Sequence, residues 1–271
     1  MDARIFRGND QVDALSPLDR GLAYGDGLFE TMRVWRGDVP WWDRHWARLT
    51  RGADALGIAL PDEGRVREAL AATLDGADGV AKLLVTRGEG ARGYAASAGP
   101  ATWLLSRHEA PSRRDRIVVR WCATRLAVQP RLAGLKHCNR LEQVLARSEW
   151  PAGEGADDGL MVDADGDVAS AIAGNVFILS QGRWRTPRLD RCGVHGVMRG
   201  WAMAVLDADE ARLSPSDVEA ADALFVCNAV RGILEVERLG DLAWSPHPQV
   251  AALRHRLASD HPAFAPNPET P

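Results

Sequence analysis

The stretch GLKHCNRLEQVLAR, residues 134–147, holds the question on which the rest of the chain turns. From Leu141 onward it reads as an amphipathic helix. Leu141, Val144, Leu145 and Ser148 fall on one side, and Arg140, Glu142, Gln143 and Arg147 mostly on the other. Lys136 stands just before that helix, between Leu135 and His137, with Cys138 and Asn139 following. It is either a surface charge or a working amine, and the remaining sequence decides between the two.

The chain has 271 residues, 46% of them hydrophobic, enough for one large domain or two modest ones. Its net charge of −4 is well mixed in sign, with no basic stripe, which argues against a nucleic-acid partner. Cys122, Cys138, Cys192 and Cys227 lie far apart without CxxC spacing. That argues against a disulfide framework or a zinc site, so no metal is expected and reduced thiols in a cytoplasm are. The start, MDARIFRGND, lacks an apolar signal core, and no run approaches eighteen apolar residues, so no membrane span is expected. The tail, 263–271, has the composition of a disordered segment.

Residues 27–35 alternate, meet the turn signal Arg36-Gly37-Asp38 and resume as Val39-Pro40-Trp41, which predicts a hairpin. The RGD triplet is then a plain turn. Residues 42–57 place Trp42, Trp46, Leu49, Ala53 and Leu56 on one helical face, and 64–74 give a second helix. Strands are predicted at 80–87 and 101–108. The polar segment Pro111–Asp115 suggests a boundary, giving a small domain over 1–115 and a larger one over 116–262. The second begins with a strand at 116–122 and the helix of the opening stretch. Strands follow at 158–163, 175–180, 223–229 and 232–239, with helices at 197–206, 215–220 and 247–258. Strands and helices mix without strict βαβ alternation, so the expected class is α+β.

Residues 88–93, GEGARG, satisfy GxGxxG after a predicted strand. That fingerprint works only if a helix opens at once, so that its amides meet a pyrophosphate. Only Tyr94 to Ala98 precede Gly99-Pro100 and another strand, which leaves no room for the helix. The glycines are read as shaping a loop.

Four separated stretches suggest one anionic cofactor. In HWARL, Arg48 sits at the edge of the apolar helix face, where a guanidinium can bind a phosphate; taken alone it reads better as a solvated arginine. Gly193-Val194-His195-Gly196-Val197 precedes an apolar helix and offers free amides to an anion. Cys227-Asn228-Ala229 closes a strongly apolar strand. The fourth is Lys136, since a lysine near other cations in a partly dry site has a lowered pKa and serves as nucleophile or base. A working lysine with a phosphate cup points to pyridoxal 5′-phosphate (PLP).

The chain resembles the class IV, or D-amino-acid aminotransferase-like, PLP enzymes along nearly its whole length. SPLDRGLAYGDGLFETMRV (16–34), HWARL, LKHCNRLEQVLAR and RLDRCGVHGVMR (188–199) carry the likeness. GLKHCNRLEQVLAR and TRGEGARGY (86–94) resemble the lyase branch, the 4-amino-4-deoxychorismate lyases. The resemblance implies a two-domain fold with PLP in the cleft and a homodimer. It implies Lys136 as the Schiff-base lysine, and Arg48, Gly196, Val197, Asn228 and Ala229 as phosphate contacts. The reaction implied is a β-elimination giving 4-aminobenzoate and pyruvate, with amino transfer from D-amino or branched-chain amino acids as the alternative. Such a substrate carries two carboxylates, for which Arg92, with Tyr94 beside it, is the first candidate and Arg33 a weaker one.

One position departs from the family. It usually places a glutamate, partner of the pyridine nitrogen, five residues before the asparagine of its N-[LIV]-F strand. Here that asparagine is Asn175 and the earlier residue is Ser170. A carboxylate keeps the nitrogen protonated and the ring strongly electron-withdrawing, on which transamination depends; a serine hydroxyl bonds a neutral nitrogen. Elimination tolerates the weaker sink, so Ser170 favours the lyase.

Overall fold

Alternating apolar residues build the first of two units. The computed structural model describes residues 3–96, 98–151 and 153–265. One unit comprises Met1–Pro111 together with Leu135–Asn139, the other Ser112–Gly134 together with Arg140–Pro271.

The first unit contains β1 (Ala3–Arg7), β2 (Asp10–Val12), α1 (Arg20–Tyr24), β3 (Gly27–Val34), α2 (Trp42–Leu56), α3 (Glu63–Leu74), β4 (Gly79–Thr86) and β5 (Thr102–His108). Its five-stranded sheet runs in the order β2-β1-β5-β4-β3, every pairing antiparallel. Period-two alternation sends Leu28, Met32 and Val34 of β3, with Leu83, Val85, Trp103 and Leu105, into one core with Leu49 and Ala53 of α2 and Val66 and Leu70 of α3. The buried face of α2 carries Trp42, His45, Arg48, Leu49, Gly52 and Ala53. It is turned from the predicted face toward two polar residues, because Gly52 lets Leu28 against the helix; a Cβ there would meet a Leu28 methyl at 2.9 Å.

The predicted hairpin is corrected. Trp35 and Asp38 do close the turn, exchanging backbone bonds of 2.9 and 3.0 Å. Val39–Trp41, however, leads into α2, and β3 takes β4 as its neighbour over eight residue pairs. The GEGARG loop holds no helix among its described residues.

The second unit contains β6 (Arg116–Trp121), α4 (Leu141–Arg147), β7 (Asp158–Val162), β8 (Val168–Ala171), β9 (Asn175–Ser180), β10 (Arg183–Pro187), α5 (Val197–Leu206), β11 (Asp209–Ala211), α6 (Pro215–Glu219), β12 (Ala223–Asn228), β13 (Gly232–Leu239), β14 (Leu242–Ala243) and α7 (Pro248–Asp260). Its nine-stranded sheet runs β11-β10-β9-β12-β13-β6-β7-β8, with β14 on β13. Parallel pairs (β10–β11, β13–β6, β6–β7) mix with antiparallel ones. Val176, Ile178, Leu224, Val226, Leu234 and Val236 lie in its core. Helices and strands in both units make the protein α+β.

Residues 135–139 pack with the first unit although the sequence reading places them in the second domain. The reason is a non-local pairing with β3, described below. Ala263 and Phe264, read as the start of a disordered tail, are buried in a 3-10 turn (Pro262–Phe264); residues 266–271 lie outside the described residues. In α4 the apolar side of the opening stretch faces out: Leu141, Val144 and Leu145 are 76%, 56% and 60% exposed, and the helix buries Ala146 instead.

Candidate active site

The alternation of β3 that buries Leu28, Met32 and Val34 also buries Glu30, which is 1% exposed. An ionised carboxylate at that depth needs partners. Helix α2 supplies two from one turn, three residues apart. Arg48 Nε donates to Glu30 Oε1 at 2.8 Å and Arg48 Nη2 donates to Oε2. His45 Nδ1 lies 2.6 Å from Oε2. Burial pushes the Glu30 carboxyl up, but the Arg48 charge and the bonds from Arg48 and His45 overcome it and hold the group at about 2. Burial pushes His45 down, against the pull of Glu30 and helped by the charges of Arg48 and Lys136. His45 is therefore a neutral imidazole that donates from Nδ1, and its contact with Glu30 is a hydrogen bond rather than an ion pair. Its Nε2 is then a buried acceptor, with no hydrogen-bond partner among the described residues. Such an atom costs about 1–3 kcal/mol until something donates to it.

Lys136 reaches the same unit through its backbone. Phe29 N donates to Lys136 O at 3.0 Å, and Cys138 N donates to Gly27 O at 2.9 Å. This bridge sets His137 opposite Leu28, and so Lys136 beside Phe29. The half-buried amine stands 4.3 Å from the Phe29 ring centroid, a cation–π distance. Gly27 is required by this close approach, since a Cβ would meet Val85 O at 2.7 Å and Cys138 Sγ at 3.2 Å.

The segment before β3 holds the Gly-rich loop. Asp19, wholly buried, caps α1 through Gly21 N at 2.8 Å and accepts from Thr86 Oγ1 at 2.9 Å. Arg20 donates to Asp26 and to Gly93 O, each at 2.9 Å, while Arg87 grips the same Asp26 with two donors. Tyr24 Oη accepts from Gly93 N at 3.1 Å, and its ring lies 5.5 Å from that of Tyr94. Arg92 and Tyr94 themselves are exposed, Tyr94 to 89%. Arg33 is half-buried on β3, on the side opposite Glu30 in the alternation.

In the second unit, α5 starts at Val197 with Gly196 at its N-cap and no side-chain cap. Its first amides therefore remain available to an anion. The loop before it is fixed from two directions. Asn175 Nδ2 donates to Val194 O at 2.9 Å, and a Cβ on Gly196 would collide with Asn175 Oδ1. Gly134 N donates to Gly193 O, and His195 N donates to Gly134 O, both at 3.0 Å. Asn228, ending β12, donates to Ala173 O at 3.1 Å, and its Oδ1 accepts from Val230 N and Arg231 N at 3.0 and 2.8 Å. Those bonds shape the turn that carries Ala229. Ser170 is buried on β8, opposite Met161. Asp158, at the start of β7, accepts from Gly159 N at 2.8 Å. Burial pushes its carboxyl up to about 6, which nearby amides and Arg231 only partly offset.

The first unit thus holds Lys136 and Arg48, and the second holds Gly196, Val197, Asn228, Ala229 and Ser170. Sequence reasoning missed Glu30, Asn175 as a brace, and the Arg20–Asp26–Arg87 cluster. Glu30 had a signal: a carboxylate in phase with Leu28, Met32 and Val34 demands a cation. Among the described residues no cluster of His, Cys, Asp and Glu has the makings of a metal site, and no helix is long and apolar enough to cross a membrane.

Comparison with known proteins places the sequence among relatives. Residues 27–239 match the family model described as amino-transferase class IV. The aminodeoxychorismate lyase of Vibrio harveyi is 33% identical over 230 residues, 80% of this chain and 84% of that protein. A putative branched-chain-amino-acid aminotransferase of Methanocaldococcus jannaschii is 28% identical over 84% of this chain and 83% of its own. The crystal structure of 4-amino-4-deoxychorismate lyase from Pseudomonas aeruginosa superposes with a TM-score of 0.88 and 40% identity, covering 95% of this chain and 99% of that one.

Proposed function

The chain belongs to the amino-transferase class IV family, and from that premise we propose that it is a PLP-dependent lyase that converts 4-amino-4-deoxychorismate to 4-aminobenzoate and pyruvate. The observation that carries the reading is the pairing of a half-buried lysine with a buried, carboxylate-held arginine in one unit, in a chain 40% identical to a solved lyase.

The residues fit the cofactor. Arg48 is a buried cation, His45 Nε2 is an unsatisfied buried atom, and α5 opens on bare amides with no room for a Cβ at Gly196. Lys136 would carry PLP, Arg48 would meet its phosphate, and the amides of Gly196 and Val197 and the Asn228–Ala229 turn would donate to that phosphate. Ser170 would face the ring nitrogen. When bound, the cofactor supplies an electron-withdrawing ring that stabilises negative charge on the carbon bearing the substrate amine.

The rest falls to the chain. The Lys136 amine takes the proton from C4 of the substrate, as general base. The C–O bond to the enolpyruvyl group breaks at the neighbouring carbon, its electron pair leaves with oxygen, and protonation of the departing enolate at its methylene carbon gives pyruvate. Aromatisation of the ring drives the step. Arg92 and Tyr94, and less directly Arg33, are the candidates for the substrate carboxylates. Arg20, Tyr24 and Asp26 hold the loop that presents the first two.

We also infer a homodimer. The outward apolar face of α4 is a patch of the kind that subunit contacts cover. Four cysteines far apart in sequence, without CxxC spacing, support a cytoplasmic location. The lyase reading is tested by product stoichiometry. Aminodeoxychorismate should yield pyruvate and 4-aminobenzoate one to one. Amino transfer to 2-oxoglutarate in place of pyruvate would return the aminotransferase reading.

A further inference from the structure

Glu30 has no part in the reaction just described, yet the first unit spends a buried carboxylate on it. It accepts from Nε and Nη2 of Arg48 and from Nδ1 of His45. Two guanidinium donors on the two oxygens of one carboxylate fix the plane of the guanidinium as well as its position. The strand holds the carboxylate rigidly, since β3 is paired along its whole length, and α2 brings both partners from a single turn.

We propose that Glu30 is a positioning residue, which orients Arg48 toward the cofactor phosphate and fixes His45 as the Nδ1–H tautomer. The inference rests on the reading of Arg48 as a phosphate contact.

Charge alone argues the other way. Glu30 cancels the charge of Arg48, and His45 adds none, so the trio is electrically neutral. Attraction for a phosphate would be stronger without the carboxylate. What Glu30 contributes is direction: a long, flexible side chain is held in one geometry before the anion arrives, and its ordering cost is already met in the fold. The two accounts therefore predict opposite signs for the same substitution. Glu30→Gln keeps the shape and an acceptor but removes the charge that grips Arg48. On electrostatics alone the variant binds the phosphate more tightly; on positioning it binds it more weakly.

The experiment titrates the full-length protein, freed of cofactor, with PLP, and separately with pyridoxal, which keeps the aldehyde for Lys136 and lacks the phosphate. Both are read by absorbance at equilibrium, with thermal unfolding as a check on folding. We expect Glu30→Gln to weaken PLP binding by about ten- to a hundredfold while leaving pyridoxal within about twofold. Glu30→Asp, which keeps the charge but withdraws it by one methylene, should also lose PLP affinity selectively, and carries the comparison if Glu30→Gln does not fold. PLP bound as tightly as or more tightly than by the parent overturns the proposal. So does an equal loss for PLP and pyridoxal, which would mark damage to the fold. Arg48→Gln separates the two levels. If it leaves PLP affinity unchanged, the phosphate reading of Arg48 fails; if it weakens PLP while the Glu30 variants do not, only the positioning role fails.

Discussion

On the proposed function, Ser170 is the residue on which the choice of reaction would turn. It is buried on β8, at the position where the resembling enzymes keep a carboxylate. A hydroxyl leaves the ring nitrogen neutral and the electron sink weak, which costs amino transfer more than elimination. Ser170→Glu is therefore expected to gain amino transfer to 2-oxoglutarate, at least about tenfold over the parent, or about 1.4 kcal/mol off that barrier. Transfer that stays at the parent level would show that the nitrogen's partner does not set the reaction. Asp158 gives a second prediction, in stability. Its folded carboxyl sits at about 6 against an ordinary 3.8, because burial disfavours the charge. Between those values the folded state holds more protons than the unfolded one, so this group's contribution falls as pH rises through the window and is lost in full above it. The total is about 3 kcal/mol. The stability of Asp158→Asn relative to the parent should grow by about 2 kcal/mol from pH 4 to pH 7.5 in denaturant titrations. A constant difference would contradict the account. Glu30 has the opposite sign: held at about 2 against 4.5, it stabilises the fold above that range and ceases to as pH falls through it. Of these residues the sequence named Lys136, Arg48 and Ser170 as candidates, the first two from the motifs that hold them and Ser170 from its spacing to Asn175. It did not name Glu30 or Asp158, although Glu30 lies within 16–34, because what sets each carboxyl is burial together with cations the fold brings to it, Arg48 for Glu30 and Arg231 for Asp158.

Among the elements, the long alternating or periodic ones were legible, as was the short helix α6 from its Ser214-Pro215 entry, whereas the shortest strands were not. Strands β4, β5, β9, β12 and β13 and helices α2, α3, α5 and α7 fall where periodicity predicts them. The three-residue strands β2 and β11 are largely exposed and carry no alternation to read. Helix α1 is five residues long and rests on its cap, with Gly25 in the left-handed region closing it. The turn at Arg36-Gly37 was legible from its residue types, and both take positive φ; the partner of β3 was not, because β4 lies more than forty residues on. The pairing of residues 136–138 with β3 is less local still. In α4 the periodicity was legible, but what its apolar side faces was not. An apolar stripe is read as facing inward, and here Leu141, Val144 and Leu145 face out. If that stripe is the seat of a second copy, Leu141→Glu with Leu145→Glu should convert a dimer to a monomer in sedimentation while circular dichroism stays native. A protein that remains dimeric with both charges in place would move the interface elsewhere.

At the scale of the molecule, two units of different architecture each carry candidate residues of the proposed function. The antiparallel sheet unit bears the amine and the arginine. The mixed-sheet unit bears the uncapped helix start, the Asn228 turn and Ser170. The family assignment spans both, over residues 27–239. The most direct test of the account is made at Lys136. The parent protein with bound PLP should show the visible band of a Schiff base and release pyruvate from aminodeoxychorismate. Lys136→Ala should lose the band and, with its covalent anchor and general base both gone, at least about a thousandfold in pyruvate release, while keeping the parent's unfolding temperature to within about 3 °C. A Lys136→Ala protein that still released pyruvate at the parent rate would contradict the central claim.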